Sequence, residues 1–200
     1  MGKKGDETKS LIVAKAIELF RERGYDQVTI EDICRELNIV RGTFYYHFRT
    51  KDEVLFGFYE EPEAFTVEHV SAIFAADNYW EQLWLSYLPF LEYTQKAGAE
   101  VLSQCMRSNL NENRGTFDPR VASSAISVEI IKKCQAADQI RNKADPATLN
   151  FIAIQLLIAY DFRWAILKEG FEKISAMRGA LEILFDVDLA LRNGGNPITS

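Results

Sequence analysis

Signals that begin an α-helix recur along the whole chain, and no segment carries the alternating pattern of a β-strand. Some are a hydroxyl residue followed three positions later by an acidic one, and others are an aspartate directly before proline. They stand at Thr29 with Asp32, Thr50 with Glu53, Asp118 with Pro119, and Asp145 with Pro146, and Asp77 marks one more helix start. Apolar residues at helical spacing predict long helices over 78–96, 99–110, 119–136, 146–169 and 174–192. The sequence therefore predicts an all-α fold.

The first fifty or so residues predict an arrangement of shorter helices. A first helix ends at Gly24, which suits a C-terminal cap. Two short helices are predicted over 30–37 and 41–48, separated by a brief break at Asn38, and Thr50 begins a fourth. Two short helices joined by a tight turn match a helix-turn-helix, in which the second helix of the pair enters the major groove of DNA.

The charge distribution agrees with a DNA-binding segment at the N-terminus. The whole chain has a net charge of −6, which by itself disfavours a nucleic-acid partner. Residues 1–51, however, hold ten basic and eight acidic side chains, and the remainder holds 13 basic and 21 acidic ones. The N-terminal part is therefore net positive, whereas the rest suits a body that does not contact DNA.

The residues of this segment also carry a family resemblance. The stretch TIEDICRELNIVRGTFYYHFRTKDEVL, from Thr29 to Leu55, resembles the signature of TetR-family repressors, and FRERGY before it resembles the opening of that family. The resemblance covers about residues 8–56. It implies a helix-turn-helix head over 1–56, with its motif at about 29–48, and a ligand-binding and dimerisation body over 57–192. We expect the tail, 193–200, to be disordered.

Two positions depart from the family pattern. Asn38 stands where Gly is usual in the turn, and Asn tolerates the left-handed conformation. Val40 stands where Ser or Thr usually caps the recognition helix, so that helix lacks a side-chain cap.

Polar residues of this stretch are candidate contacts to double-stranded DNA with a palindromic operator. Arg41, Gly42, Thr43 and Tyr45 are the candidate base readers, because a guanidinium forks onto guanine and glycine permits close approach. By resemblance to the family, Thr29, Tyr46, His47 and Lys51 are expected at phosphates, which fix register without reading sequence. Phe44 and Phe48 are expected in the core, and Tyr45 could equally be a core residue.

The last two predicted helices are the candidate homodimer interface. Their apolar residues cover more than one face, and a helix that is apolar on two faces needs two partners. The resemblance implies a four-helix bundle with a second copy. The interface residues are Phe151, Ile154, Leu157 and Trp164 on one helix and Met177, Leu181 and Leu184 on the other; the alternative is a purely internal core.

A small-molecule effector pocket is implied by the resemblance. An aromatic stripe and a few polar groups embedded in apolar helices are its candidate lining, although such stripes more often form a core. The candidates are Trp80, Trp84, Tyr87, Gln104, Arg107, Asp161 and Arg163. The implied function is a ligand-responsive regulator, a repressor by family default, whose effector favours a conformer that fits DNA poorly.

Other function classes have weaker support. Cys34, Cys105 and Cys134 form no CxxC pair and are expected to be reduced thiols in the cytoplasm. We expect no metal or cofactor and no enzyme activity, because no nucleophile with its base, no HExxH and no phosphate-binding glycine loop is present. The longest apolar run, 151–160, is shorter than the roughly 20 residues that span a bilayer, so no membrane partner is expected. The main alternative is a dimeric interaction module with little DNA affinity; an enzyme is the most remote.

Overall fold

The computed structural model describes residues 3–60, 67–112 and 121–192, and the fold of these residues is all-α. Within them lie ten α-helices: α1 Lys3–Arg23, α2 Ile30–Glu36, α3 Arg41–His47, α4 Lys51–Glu60, α5 Val67–Ala75, α6 Tyr79–Ala97, α7 Ala99–Asn111, α8 Val121–Ala136, α9 Pro146–Ile166 and α10 Lys173–Leu184. Short 3-10 turns add Tyr25–Gln27 and Leu189–Leu191. The described residues form no strand beyond an isolated bridge between Ile140 and Val187. The predicted disordered tail, 193–200, lies outside them.

The chain divides into two compact units. The first unit holds Met1–Pro62 together with Gln95–Thr116, and the second holds Glu63–Thr94 together with Phe117–Ser200. By packing, α7 therefore belongs with the N-terminal helices. The functional boundary at residue 56 stays a prediction.

The core of the first unit joins α1 to the short helices and to α7. Helices α4 and α7 both contact α1, and α2 contacts both α1 and α3. The side chains that fill this core are apolar and buried: Ile12, Ala16, Leu19, Phe20, Ile33, Phe44, Phe48, Val54, Leu55, Leu102 and Cys105. The predicted burial of Phe44 and Phe48 is confirmed.

Local signals set the boundaries of the short helices. Gly24, at φ 83°, follows α1 as the predicted cap, and its amide donates to the carbonyl of Phe20 at 2.9 Å. Thr29 and Asp32 form a full capping box at the start of α2. Asn38 adopts φ 52°, the left-handed conformation predicted for the turn, and α3 begins after Val40 without a side-chain cap.

The second unit is built around α9, which contacts α8 and α10. Its first turn is capped as predicted, since the Asp145 carboxylate accepts from the Thr148 amide at 2.9 Å and Pro146 is the first helical residue. The core takes apolar side chains from five helices: Ile73, Trp80, Leu83, Tyr87, Leu91, Ile131, Cys134, Leu149, Leu157, Met177, Leu181 and Phe185.

Three predicted details of this unit were wrong. The last helix ends at Leu184 rather than continuing to residue 192, because the chain turns at Asp186, where φ is 46°. Helix α9 ends at Ile166, before Lys168 and Glu169 take positive φ values. The carboxamide of Asn78, not Asp77, accepts from the Glu81 amide to cap α6.

The apolar part of α9 is longer than the run of residues 151–160 from which no membrane partner was predicted. The helix has 21 residues and a window of mean hydropathy 1.3, long and apolar enough by length and composition to cross a membrane, and 39% of that window is buried. A core helix has the same composition, and the buried side of α9 carries the charged Asp161.

Candidate nucleic-acid interface

Helix α3 has an anchored face and a free face. Phe44 and the following Phe48 are 0% and 3% exposed, which fixes the helix to the first unit. On the other side Tyr45 and Tyr46 are 44% and 74% exposed, and the Arg41 side chain is 60% exposed. Three of the six DNA contacts predicted on α3 thus present exposed side chains on one side of the helix, and the alternative of a core role for Tyr45 is wrong.

Arg41 is held by two neighbours within the first unit. Its Nη1 lies 2.8 Å from Glu31 Oε1 on α2, and its Nη2 donates to the Tyr45 hydroxyl at 3.4 Å. The guanidinium also lies 5.8 Å from the centre of the Tyr45 ring. The hydrogen bond to Tyr45 and the charge of Glu31 raise the pKa of Arg41, which stays fully charged. Glu31 was not among the residues selected from the sequence.

Gly42 and Thr43 complete the exposed start of α3. Gly42 is exposed, and a Cβ added to it would meet nothing within 4 Å. Packing inside this chain therefore does not require glycine there, which is compatible with close approach by an outside partner. Thr43 is half-buried, and its amide donates to the Val40 carbonyl at 2.9 Å.

The four residues predicted at phosphates fall into two groups. Tyr46 is free to contact a partner, and beside it His47 is half-buried, with ring centres 4.9 Å apart. The Nδ1 atom of His47 is buried and has no hydrogen-bond partner within the described part of the chain. These two side chains have unused hydrogen-bonding capacity at the end of α3.

Thr29 and Lys51 are already engaged inside the first unit. The Thr29 hydroxyl accepts from the Asp32 amide at 3.1 Å and lies 2.6 Å from Asp32 Oδ2. Lys51 Nζ donates to the carbonyls of Tyr25 and Val28 at 2.7 and 2.8 Å and lies 4.1 Å from the Tyr25 ring centre. Burial lowers the pKa of Lys51. Both side chains hold the turn between α1 and α2, and their contact with phosphate stays a prediction.

Helix α7 is attached to the same turn. The Glu100 carboxylate of α7 accepts from the Tyr25 amide at 3.0 Å. Nearby, at the end of α6, the Lys96 carbonyl accepts from the Arg21 guanidinium of α1 at 3.4 Å. Sequence reasoning missed both contacts, because the partners are 75 residues apart and no local pattern marks them.

Comparison with known proteins agrees with this geometry. The family profile described as "Bacterial regulatory proteins, tetR family" matches residues 12–57, which covers α2, α3 and most of α1 and α4. Residues 12–57 are therefore similar to the TetR family. Over 46 residues it is 44% identical to IcaR of Staphylococcus epidermidis, the negative transcriptional regulator of the biofilm operon icaADBC, and equally to IcaR of Staphylococcus aureus strain Newman. These matches span 23% of this chain and 25% of the IcaR proteins.

Solved TetR-family structures extend the likeness to the whole fold. FadR of Thermus thermophilus, a transcriptional repressor crystallised with lauroyl-CoA, aligns over 94% of this chain and 100% of its own, with a TM-score of 0.61 and 21% identity. A TetR-family regulator of Cytophaga hutchinsonii aligns over 94% and 98%, with a TM-score of 0.62 and 17% identity. At such identities the likeness establishes the shared fold.

The aromatic residues predicted to line a TetR-type effector pocket are core residues of the second unit. Trp80, Trp84 and Tyr87 are at most 5% exposed. The Tyr87 hydroxyl donates to Asn150 Oδ1 at 2.7 Å, and burial raises the pKa of Tyr87. Within the described residues, the indole N–H of Trp80 is buried without a hydrogen-bond partner.

The four polar pocket candidates do not form one group. Asp161 is buried in an ion pair, whereas Arg163 is exposed, with its guanidinium 5.2 Å from the Phe171 ring centre. Gln104 and Arg107 lie on α7 and so belong to the first unit. A shared pocket for the seven residues stays a prediction.

The predicted interface residues need a correction. Leu157, Trp164, Met177 and Leu181 are at most 4% exposed, so they pack inside the second unit and have no surface for a partner. Of the others, Phe151 is 51% exposed, and Ile154 and Leu184 are half-buried. The outer side of the two helices instead presents Ile152, Phe162, Ile166 and Ile183, at 39–63% exposure.

The cysteines and acidic residues offer no sign of metal or redox chemistry in the part of the chain that is described. No group of three or more His, Cys, Asp and Glu side chains there could hold a metal ion. All three thiols are free and buried, and burial raises the pKa of Cys134 to about 12. Such thiols are poor nucleophiles at neutral pH.

Proposed function

We propose that this chain is a sequence-specific, double-stranded DNA-binding transcriptional regulator of the TetR family. In this proposal it acts as a cytoplasmic repressor, and a small-molecule effector releases it from its operator. The observation that carries the proposal is the free face of α3, where Arg41, Tyr45 and Tyr46 stand exposed over the buried Phe44. IcaR, whose matched segment is 44% identical, is a negative regulator.

The residues of the free face divide between reading bases and fixing position. Arg41 reads guanine through its forked N–H groups, a contact worth about 1–3 kcal/mol of discrimination. Thr43 and Tyr45 contact neighbouring base edges while Gly42 admits the DNA surface. Tyr46 and His47 donate to phosphate oxygens, which sets register and is insensitive to sequence.

We propose a homodimer because the DNA-contacting surface of one chain is small. One short recognition helix contacts few bases, and helix-turn-helix proteins bind paired half-sites roughly 34 Å apart as dimers. The exposed apolar side of α9 and α10, with Phe151, Phe162, Ile166 and Ile183, is the surface we assign to the second copy. Removing these side chains from water is the driving force for association.

The effector acts by population shift. It binds more tightly to a conformer whose two heads are wrongly spaced for DNA, and a coupling of about 1–3 kcal/mol would change operator affinity about 5- to 150-fold. Two solved structures that are similar to this chain contain acyl-CoAs: lauroyl-CoA in Thermus thermophilus FadR and stearoyl-CoA in the transcriptional regulator FadR of Bacillus subtilis. Long-chain acyl-CoAs are therefore the first compounds to titrate, with free CoA as the control.

The experiment that tests the proposal is selection of bound duplexes from a random DNA pool. Recovery of a palindrome with half-sites one helical turn apart supports the regulator and supplies its operator. Titration of that duplex at two salt concentrations then separates phosphate contacts from base reading. Weak, sequence-blind binding would contradict the proposal. It would favour the interaction module, which the uncapped start of α3 at Val40 also favours.

A further inference from the structure

An ion pair links the two helices of the helix-turn-helix at the residue assigned to base reading. Arg41, the first residue of α3, pairs with Glu31 near the start of α2 at 2.8 Å. Both side chains are largely in water, at 60% and 52% exposure. Exposed ion pairs contribute little to stability, so folding alone gives little reason for the contact.

The pair leaves Arg41 able to read DNA while fixing where it points. A guanidinium has five N–H donors. One nitrogen faces Glu31 and another donates to the Tyr45 hydroxyl, so donors remain for a base edge. Arg41 is thus held between α2 and the next turn of α3, and less side-chain freedom is lost when it meets its base.

The same carboxylate limits attraction to DNA of the wrong sequence. An unpaired arginine on a recognition helix attracts any phosphate, and this attraction supplies most of non-specific binding. Glu31 neutralises the charge of Arg41 locally and adds a negative charge beside the DNA-facing helix. DNA that lacks a well-placed guanine gains less binding energy from Arg41 and is still repelled by Glu31. The pair therefore discriminates against competing DNA sequences.

We propose that Glu31 is a specificity-determining residue, which positions Arg41 and restrains it from binding phosphates indiscriminately. This inference rests on the DNA-binding function proposed above. Glu31 need not touch a base, since it acts through Arg41.

Helix α2 offers a matched control for this role. Glu36 also lies on α2 and forms an exposed ion pair, 3.2 Å from Arg23 with 43% and 37% exposure. Arg23 is the last residue of α1, not a residue of the recognition helix. Glu36→Gln therefore removes the same charge from the same helix without releasing Arg41.

The test measures the full-length protein on its selected operator and on a scrambled duplex of equal length. For Glu31→Gln, affinity for the scrambled duplex should rise about fivefold and its salt dependence should steepen by about one phosphate contact. The ratio of operator to scrambled affinity should fall at least about threefold. Glu36→Gln should shift both affinities together and leave the ratio unchanged.

Two further measurements separate this role from a structural one. In an Arg41→Ala background, Glu31→Gln should no longer change the ratio, and thermal unfolding should be the same for both glutamine variants. If the wild type prefers the operator and Glu31→Gln has the same ratio of operator to scrambled affinity, the proposed role of Glu31 is wrong, while the regulator function stands. A wild type with no sequence preference would overturn the regulator and this inference with it.

Discussion

Lys173 Nζ lies 2.6 Å from Asp161 Oδ1, and the two side chains are 0% and 3% exposed. This ion pair joins α10 to α9. The ammonium also donates to the Thr94 hydroxyl of α6 at 2.8 Å and lies 4.4 Å from the Trp164 ring centre. Burial lowers the pKa of Lys173 and raises that of Asp161, so each charge persists because the other is present. Three helices of the second unit therefore meet at one charged contact.

Breaking this pair should strongly destabilise the second unit. Lys173→Met leaves the Asp161 carboxylate buried without its cation, and such losses cost about 3–5 kcal/mol. Denaturant unfolding of the variant measures the loss. The double variant Lys173→Met with Asp161→Leu should regain most of it, because no buried charge remains.

The exposed pair Lys132–Glu129 is the control for that comparison. Its side chains are 53% and 65% exposed, so Lys132→Met should change the free energy of unfolding by less than about 1 kcal/mol. A Lys173→Met variant as stable as Lys132→Met would contradict the assigned role of the buried pair.

Acid should weaken the start of α2 in a defined pH range. The hydrogen bonds from the Thr29 hydroxyl and amide, with a contribution from Arg35, lower the pKa of Asp32 from 3.8 to about 2. Because the folded pKa lies below the unfolded one, the Asp32 carboxylate stabilises the fold fully above about pH 4 and loses this effect as the pH falls towards 2. Thermal unfolding as a function of pH checks this.

Asp32→Asn isolates the contribution of that carboxylate. The variant should be less stable than the wild type at neutral pH, and the difference should vanish at the acid end of the range. A difference that stays constant down to pH 2 would show that ionisation of Asp32 is irrelevant to stability.

Features set by neighbouring residues were the ones that the sequence predicted well. The capping box of Thr29, the left-handed Asn38 and the cap at Asp145 each depend on a few consecutive positions, and all three are confirmed. The fold class and the two-helix motif follow from the same local information. Phe44 and Phe48 were assigned to the core correctly because their spacing leaves one inward face.

Contacts between distant segments could not be predicted in the same way. Helix α9 is apolar on both sides, so its periodicity did not tell the buried Leu157 and Trp164 from the exposed Phe162 and Ile166. The ion-pair partner of Asp161 is Lys173, which lies on a different helix. Because no local pattern links the two residues, Asp161 was assigned to the pocket from the sequence. Such assignments depend on how helices face each other, which a single helical pattern does not contain.

Dimerisation should fail when a charge is placed on the exposed apolar side of α9. Phe162 is 45% exposed, and Phe162→Glu would bury a carboxylate without a partner at the proposed interface, at a cost of about 3–5 kcal/mol. Sedimentation velocity should show a monomer at concentrations where the wild type is a dimer. Phe74 on α5, 72% exposed, provides the matched control: Phe74→Glu should remain dimeric. If Phe162→Glu and Phe74→Glu have the same oligomeric state, the assignment of the dimer interface to α9 is wrong.

The free face of α3 predicts two different losses of DNA binding. Arg41→Ala should reduce operator affinity by about 1–3 kcal/mol and relax the preference at one base pair. Tyr46→Ala should weaken operator and random DNA to the same extent, because it removes a phosphate contact. Fluorescence anisotropy titrations with both duplexes distinguish the two patterns. Arg35 lies on α2 and pairs with Asp32, so Arg35→Ala should preserve the base preference. Unchanged DNA binding in both α3 variants would contradict the assignment of Arg41 and Tyr46 to the DNA-binding site.

The uncapped start of α3 should be open to stabilisation. Val40 has φ −81° and ψ 152°, the extended geometry of an N-cap residue, but no side-chain hydrogen bond, and it is 72% exposed. A serine there places its hydroxyl oxygen within reach of the amides of the first turn, and an N-cap of this kind is worth about 0.5–2 kcal/mol. Val40→Ser should therefore raise the denaturant midpoint, whereas Val40→Ala removes the same exposed methyl groups without adding a cap and should not. If both variants unfold at the same midpoint, the first turn of α3 is already satisfied by another group and the missing cap costs this protein nothing.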